Sequence, residues 1–96
     1  MKVTIKTMGP YAKKFGFKKM EIELEKGSSV SDLIDRLSKM IKPIRAVVLT
    51  SKGKLKKAQK FLINGHDVFL LKGLDTILCD GDVIAIFPAV FGGSIY

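Results

Sequence analysis

Several residue types are scarce in this 96-residue chain: no tryptophan, one histidine, one cysteine and three prolines. A single cysteine, Cys79, excludes an internal disulfide and fits a reducing compartment. No cysteine pair or Cys/His set has metal-ligand spacing, and no glycine-rich phosphate loop is present, so no metal ligand is assigned. Asp80-Gly81-Asp82 lacks the spacing and the closing glutamate of a calcium loop. His66 with Asp67 has no nucleophile near it in sequence and reads as an exposed hairpin residue, while Cys79 reads as a partly buried structural residue. No catalytic residue follows, and the chain is not expected to be an enzyme on its own. No apolar run is long enough to cross a bilayer. The start, Met1-Lys2-Val3-Thr4-Ile5-Lys6, alternates polar and apolar residues instead of forming the apolar core of a signal peptide, so a soluble, cytoplasmic protein without a membrane partner is expected.

What is present is enough apolar material for one small domain: 47% of the residues are hydrophobic. The net charge is +8, and it is unevenly spread. Residues 1–60 hold sixteen Lys or Arg against five acids, whereas residues 61–96 hold one lysine against four aspartates. A basic face can attract a polyanion. Fifteen of the seventeen basic residues are lysine and aromatic interleaving is sparse, so a solvated surface is the simpler reading and nucleic acid is not expected as a partner.

Val3 and Ile5 alternate with polar neighbours as in a half-buried strand, ended by Met8-Gly9-Pro10. Residues 9–18 read as a loop whose Tyr11, Phe15 and Phe17 can pack back on the domain. In the second strand Met20, Ile22 and Leu24 oppose Glu21, Glu23 and Glu25. Ser29 and Asp32 resemble a capping box opening an amphipathic helix with Val30, Leu33, Ile34, Leu37, Met40 and Ile41 on one face, stopped by Lys42-Pro43. Residues 45–50 read as a third strand, and residues 51–60 as an exposed, mobile basic loop. Phe61-Leu62-Ile63 leads into Asn64-Gly65, which predicts a type I′ hairpin with residues 66–70 returning. Turns are expected at Gly73-Leu74-Asp75-Thr76 and at Asp80-Gly81-Asp82. The following strand, Val83-Ile84-Ala85-Ile86-Phe87, is apolar on both faces. One helix covers one side of a sheet, so the second face is either covered by the loop aromatics or left open as a docking patch. This order predicts an α+β fold of the β-grasp type: a mixed four- to five-stranded sheet on one main helix, with the first and last strands side by side.

The domain is expected over residues 1–91. Residues 92–96, Gly92-Gly93-Ser94-Ile95-Tyr96, read as a flexible diglycine tail with a three-residue extension. Two residues without side chains can enter a slot in another protein where any Cβ would clash.

The run from Phe61 to Gly93 resembles the ubiquitin-like sulfur carriers MoaD and ThiS, and more closely the small archaeal modifier proteins related to them. Its shared elements are Asn64-Gly65, the Gly73-Leu74-Asp75-Thr76 turn, Asp80-Gly81-Asp82, the apolar strand ending Phe87-Pro88 and the closing Gly92-Gly93. The N-terminal strands and the helix start at Ser29 also match.

The resemblance implies a ubiquitin-like β-grasp carrier rather than an enzyme. An E1-like adenylating partner would use ATP to activate the Gly93 carboxylate, with no cofactor bound stably to this chain. The acyl adenylate would then yield a thiocarboxylate, for molybdopterin or tRNA sulfur transfer, or an isopeptide bond to a target-protein lysine. A MoaE-like synthase subunit is a further implied partner. Gly92 and Gly93 would be the presented acyl end, and Phe87, Pro88, Val90 and Phe91 would dock the stem. Two departures stand out. Ala89 replaces a second proline found in many relatives, and Gly93 is joined to Ser94 by an amide. Either a protease, such as a metalloprotease, cuts the Gly93–Ser94 junction and removes Ser94-Ile95-Tyr96, or the tail is permanent and the domain only binds partners non-covalently.

Overall fold

The computed structural model describes residues 1–91, 94 and 95, with only the backbone described at residues 90, 91, 94 and 95. Among the described residues ten α-helices and strands follow one another, with two 3₁₀ turns, Val68–Leu70 and Gly73–Asp75, between the seventh and eighth: β1 Lys2–Thr7, α1 Pro10–Phe15, β2 Lys19–Glu23, α2 Val30–Met40, α3 Pro43–Val48, β3 Gln59–Ile63, β4 His66–Asp67, β5 Val83–Pro88, β6 Val90–Phe91 and β7 Ser94–Ile95. Five strands form one mixed sheet in the order β2-β1-β5-β3-β4, while β6 pairs with β7 separately. β1 and β5 are parallel neighbours, with Ile5 beside Ile84, and every other pairing is antiparallel. This is the expected β-grasp arrangement.

Register sorts the side chains into two faces. Val3, Ile5, Ile22, Phe61, Ile63, Ile84 and Ile86 point inward and are buried. Across this inner face lies α2, whose Val30, Leu33, Ile34 and Leu37 complete the same core. The predicted capping box is present: Ser29 Oγ accepts from Asp32 N at 3.2 Å, and Asp32 Oδ2 accepts from Ser29 N at 2.9 Å. Asn64 (φ 51°) and Gly65 (φ 85°) both have positive φ, as the hairpin requires.

Four expectations need correction. Residues 9–18 are not merely a loop, because Pro10 opens α1 and Gly16 closes it at φ 84°. Residues 45–50 do not form a strand: Pro43 starts α3, which buries Ile44 and Val48 and leaves Ala46 exposed. In a strand Ile44, Ala46 and Val48 would share a face; the helix separates Ala46 from the other two. The basic segment is not wholly exposed either. Leu49 bridges Leu55 across a turn at 50–54, and Gln59 is buried at the start of β3. Finally, the strand after the hairpin is only His66–Asp67, because Asp67 Oδ1 accepts from Phe69 N at 2.9 Å and opens a 3₁₀ turn at Val68–Leu70.

Among the described residues no helix is long and apolar enough to cross a membrane.

Candidate functional site

β5 holds the centre of the sheet, flanked by β1 and β3, and in sequence it is followed by Ala89 and β6. Phe87 lies opposite Lys60 and Pro88 opposite Gln59, and Ala89 N donates to Ala58 O at 3.0 Å. The pairing therefore continues one residue past the proline, and the stem leaves the sheet from a braced position. Beneath it, buried Gln59 donates through Nε2 to Val48 O at 2.9 Å and Lys56 O at 3.3 Å, tying α3 and the basic segment to the base of the stem.

Opposite the helices, Val83, Ala85 and Phe87 of β5 stand beside Leu62 of β3, all half-buried, between Lys60 on one flank and Thr4 and Lys6 on the other. Lys60 Nζ pairs with Asp67 Oδ2 at 3.3 Å on the same face. Tyr11, Phe15 and Phe17 do not cover this strip. Phe15 is buried in the core, Tyr11 and Phe17 pack against that core, and Tyr11 stacks on Phe15 at 5.2 Å between ring centroids. The second face of the sheet thus carries a half-buried apolar strip that the three rings of residues 9–18 leave to its lysine and threonine flanks.

At the far end of the sheet, the aspartates brace turns. Asp80 Oδ1 accepts from Lys2 N at 2.7 Å, and Asp82 Oδ2 from Cys79 N at 2.8 Å. Gly81 N donates to Lys2 O at 2.8 Å, locking this turn to β1. Cys79 is exposed rather than partly buried, since Leu78 is the residue of this turn that enters the core. His66 is exposed, as expected. Among the described residues no three His, Cys, Asp or Glu side chains group as a metal site.

Of the stem residues singled out from sequence, Phe87 and Pro88 are placed on β5, and Val90 and Phe91 form β6. Gly92, Gly93 and Tyr96 lie outside the described residues, and Ser94 pairs through its backbone with Phe91. The site gains from the structure Leu62, which extends the strip beside Phe87, and Gln59, which anchors its base. Strand alternation from Phe61 puts Leu62 on the face opposite Phe61 and Ile63, whereas burial of Gln59 has no signal in the sequence.

Fold and stem together define a ubiquitin-like β-grasp domain whose central last strand carries the chain to a diglycine. The ThiS family model matches residues 5–93, and the chain belongs to the ThiS family. It is 37% identical over 67 residues to the sulfur carrier protein CysO of Mycobacterium tuberculosis, covering 70% of each chain. Among solved structures, the Amycolatopsis orientalis BexX/CysO complex matches with a TM-score of 0.78 at 30% identity, covering 95% of this chain and 99% of that one. SAMP1 from Haloferax volcanii matches with a TM-score of 0.82, covering 97% of this chain and 100% of that one; at 24% identity it speaks for the fold alone.

Proposed function

We propose that this chain is a sulfur carrier or protein modifier activated at Gly93, a carrier in the cytoplasm rather than an enzyme. The observation that carries the reading is the family match, which runs along the stem to Gly93 and stops before Ser94. The similarity to CysO supports a sulfur-carrying role, and the BexX/CysO complex supports partnership with an enzyme.

The chemistry requires a free Gly93 carboxylate, so the Gly93–Ser94 amide must first be hydrolysed, here assigned to a partner protease. A carboxylate oxygen then attacks the α-phosphate of ATP on an E1-like adenylating partner and releases pyrophosphate. Sulfide sulfur attacks the acyl carbon and expels AMP, leaving a thiocarboxylate; a lysine amine in its place leaves an isopeptide bond. A MoaE-like synthase subunit or a target lysine would be the downstream acceptor. This chain supplies the acyl group and its presentation. Glycines at 92 and 93 let the partner's backbone approach closely, and the strip of Leu62, Ala85 and Phe87, with Pro88, Val90 and Phe91, docks the stem.

The test is ATP–pyrophosphate exchange by the adenylating enzyme of the same cells. A chain lacking residues 94–96 should support exchange, and one lacking residues 93–96 should not. Mass analysis of protein from those cells should show chains ending at Gly93, in part as thiocarboxylate or lysine conjugate. Finding Gly93 always still joined to Ser94 would sink the reading. It would favour a non-covalent interaction module, for which the pairing of Ser94–Ile95 back onto Val90–Phe91 is the supporting observation.

A further inference from the structure

Lysines that are far apart in sequence meet at one end of the sheet. Lys6, near the end of β1, lies opposite Lys19 at the start of β2, and Thr7 N donates to Lys18 O at 3.0 Å. Between these strands α1 carries Lys13 and Lys14 in its last turn. On the other flank Lys56 and Lys57 lead into Gln59, which lies opposite Pro88, and Lys60 lies opposite Phe87. β5 runs parallel to β1, so this is the end from which the stem leaves. Of these eight lysines only Lys60 has a carboxylate partner among the described residues. Three acids stand at the opposite end, while Asp67 sits beside Lys60. Glu23 lies opposite Lys2, Asp80 binds Lys2 N, and Asp82 braces the Asn64 hairpin. Lysines from four separate segments are therefore gathered at the end of the sheet where β5 finishes.

We propose that this lysine collar steers the stem onto an acidic rim around the slot that receives the tail, so that the activating partner presents an acidic protein face. The proposal rests on Gly93 being the acyl end to be activated. Lys60 is paired with Asp67 and Lys56 Nζ donates to Ala46 O at 2.7 Å, and the other six have no carboxylate partner among the described residues. Like charge around a leaving strand speeds encounter and fixes orientation more than it adds final affinity. The collar suits an acidic protein better than a nucleic acid. Every member is lysine; Arg36 and Arg45 are instead held by Glu23 O and the Asp35 carboxylate. Of the aromatic rings at this end, Tyr11, Phe15 and Phe17 pack on the core, which leaves half-buried Phe87 on the strip as a single stacking platform rather than a series of them.

Stopped-flow association of the full chain, dye-labelled at exposed Cys79, with the adenylating enzyme of the same cells tests this directly. The association rate should fall about tenfold or more between about 50 and about 300 mM salt, with dissociation little changed. A Lys18→Glu/Lys57→Glu variant should associate about tenfold more slowly, and a Lys2→Glu/Lys26→Glu control at the far end within about twofold of the parent. Tight binding indifferent to salt and to both variants overturns the collar and leaves activation at Gly93 standing. If the enzyme neither binds nor adenylates any form of the chain, the activation reading fails. The collar is then judged on NMR titration of the full chain with deca-glutamate and, separately, an RNA decamer. Amide shifts at Lys18, Lys19 and Lys57 with deca-glutamate support it, and their absence overturns it. Tighter binding of the RNA at that end overturns the acidic-protein assignment in favour of nucleic acid.

Discussion

Asn64 and Asp82 lock the hairpin to the start of the stem strand. Asn64 Nδ2 donates to Asp82 Oδ1 at 2.8 Å, and Asn64 Oδ1 accepts from Val83 N at 2.9 Å. The asparagine therefore works twice, since it also takes the left-handed conformation of the turn at φ 51°. Asn64→Ala loses both hydrogen bonds and strains the turn, and should destabilise the fold by about 2 kcal/mol. Asn64→Asp keeps the acceptor for Val83 N but sets a carboxylate against Asp82. Its deficit should shrink as pH falls and the carboxylates protonate, which urea titrations at two pH values will measure.

Gln59 gives a sharper case, because it is buried and its Oε1 has no hydrogen-bond partner among the described residues. Its Nε2 donates to two carbonyls, so Gln59→Glu places a carboxylate against Val48 O and Lys56 O. The variant should lose about 2–4 kcal/mol at neutral pH. Burial raises the pKa of such a carboxyl in the folded state above its unfolded value. Its penalty is therefore absent below the unfolded pKa and grows as pH rises through and above it. Denaturation midpoints of parent and variant should approach each other near pH 4 and separate by pH 7.

Much of this architecture was legible because its signals were periodic or steric. Alternation in residues 2–7 and 19–23, the Ser29/Asp32 cap and the Asn64-Gly65 turn each have one good structural solution. α3 was not legible in that way. Ala46-Val47-Val48-Leu49 is a short apolar run that suits strand or helix alone, and its packing against α2 decides the matter. For α1 the clues were present, a proline at the first turn and a glycine at the end, but six residues show too little periodicity to compete with a loop reading. At the candidate site the apolar stem was visible from Phe87 and Pro88. The lysine collar was not, because Lys18 and Lys57 are brought to the same end of the sheet only through the β2-β1-β5-β3 order.

Tyr11 supplies the pH prediction native to the chain. Burial pushes its phenol above the ordinary value. The folded state thus prefers the neutral ring, and stability is lost as pH rises above the unfolded phenol value of about 10. Tyr11→Phe should lose less stability than the parent in that alkaline range, with the two alike near neutral pH apart from a constant offset. Thermal melts across the range, with ultraviolet titration of the phenolate, check both the sign and the window.

Leu62 separates the two ways in which a partner can grip the stem. It stands half-buried on the face away from α2, opposite Ala85 and Asp67, one strand from the stem strand β5. A lysine there keeps a long alkyl stem, finds Asp67 across the strand pair and disturbs no core residue, so the melting temperature should move by only a few degrees. Steering by charge predicts that Leu62→Lys associates with the adenylating partner at least as fast as the parent. Apolar docking predicts faster dissociation, because the centre of the strip becomes a charge that must be desolvated. If both terms act, the association rate holds while the dissociation rate rises about tenfold or more. An unchanged dissociation rate would remove the strip from the interface and leave the stem gripped by its charged collar alone.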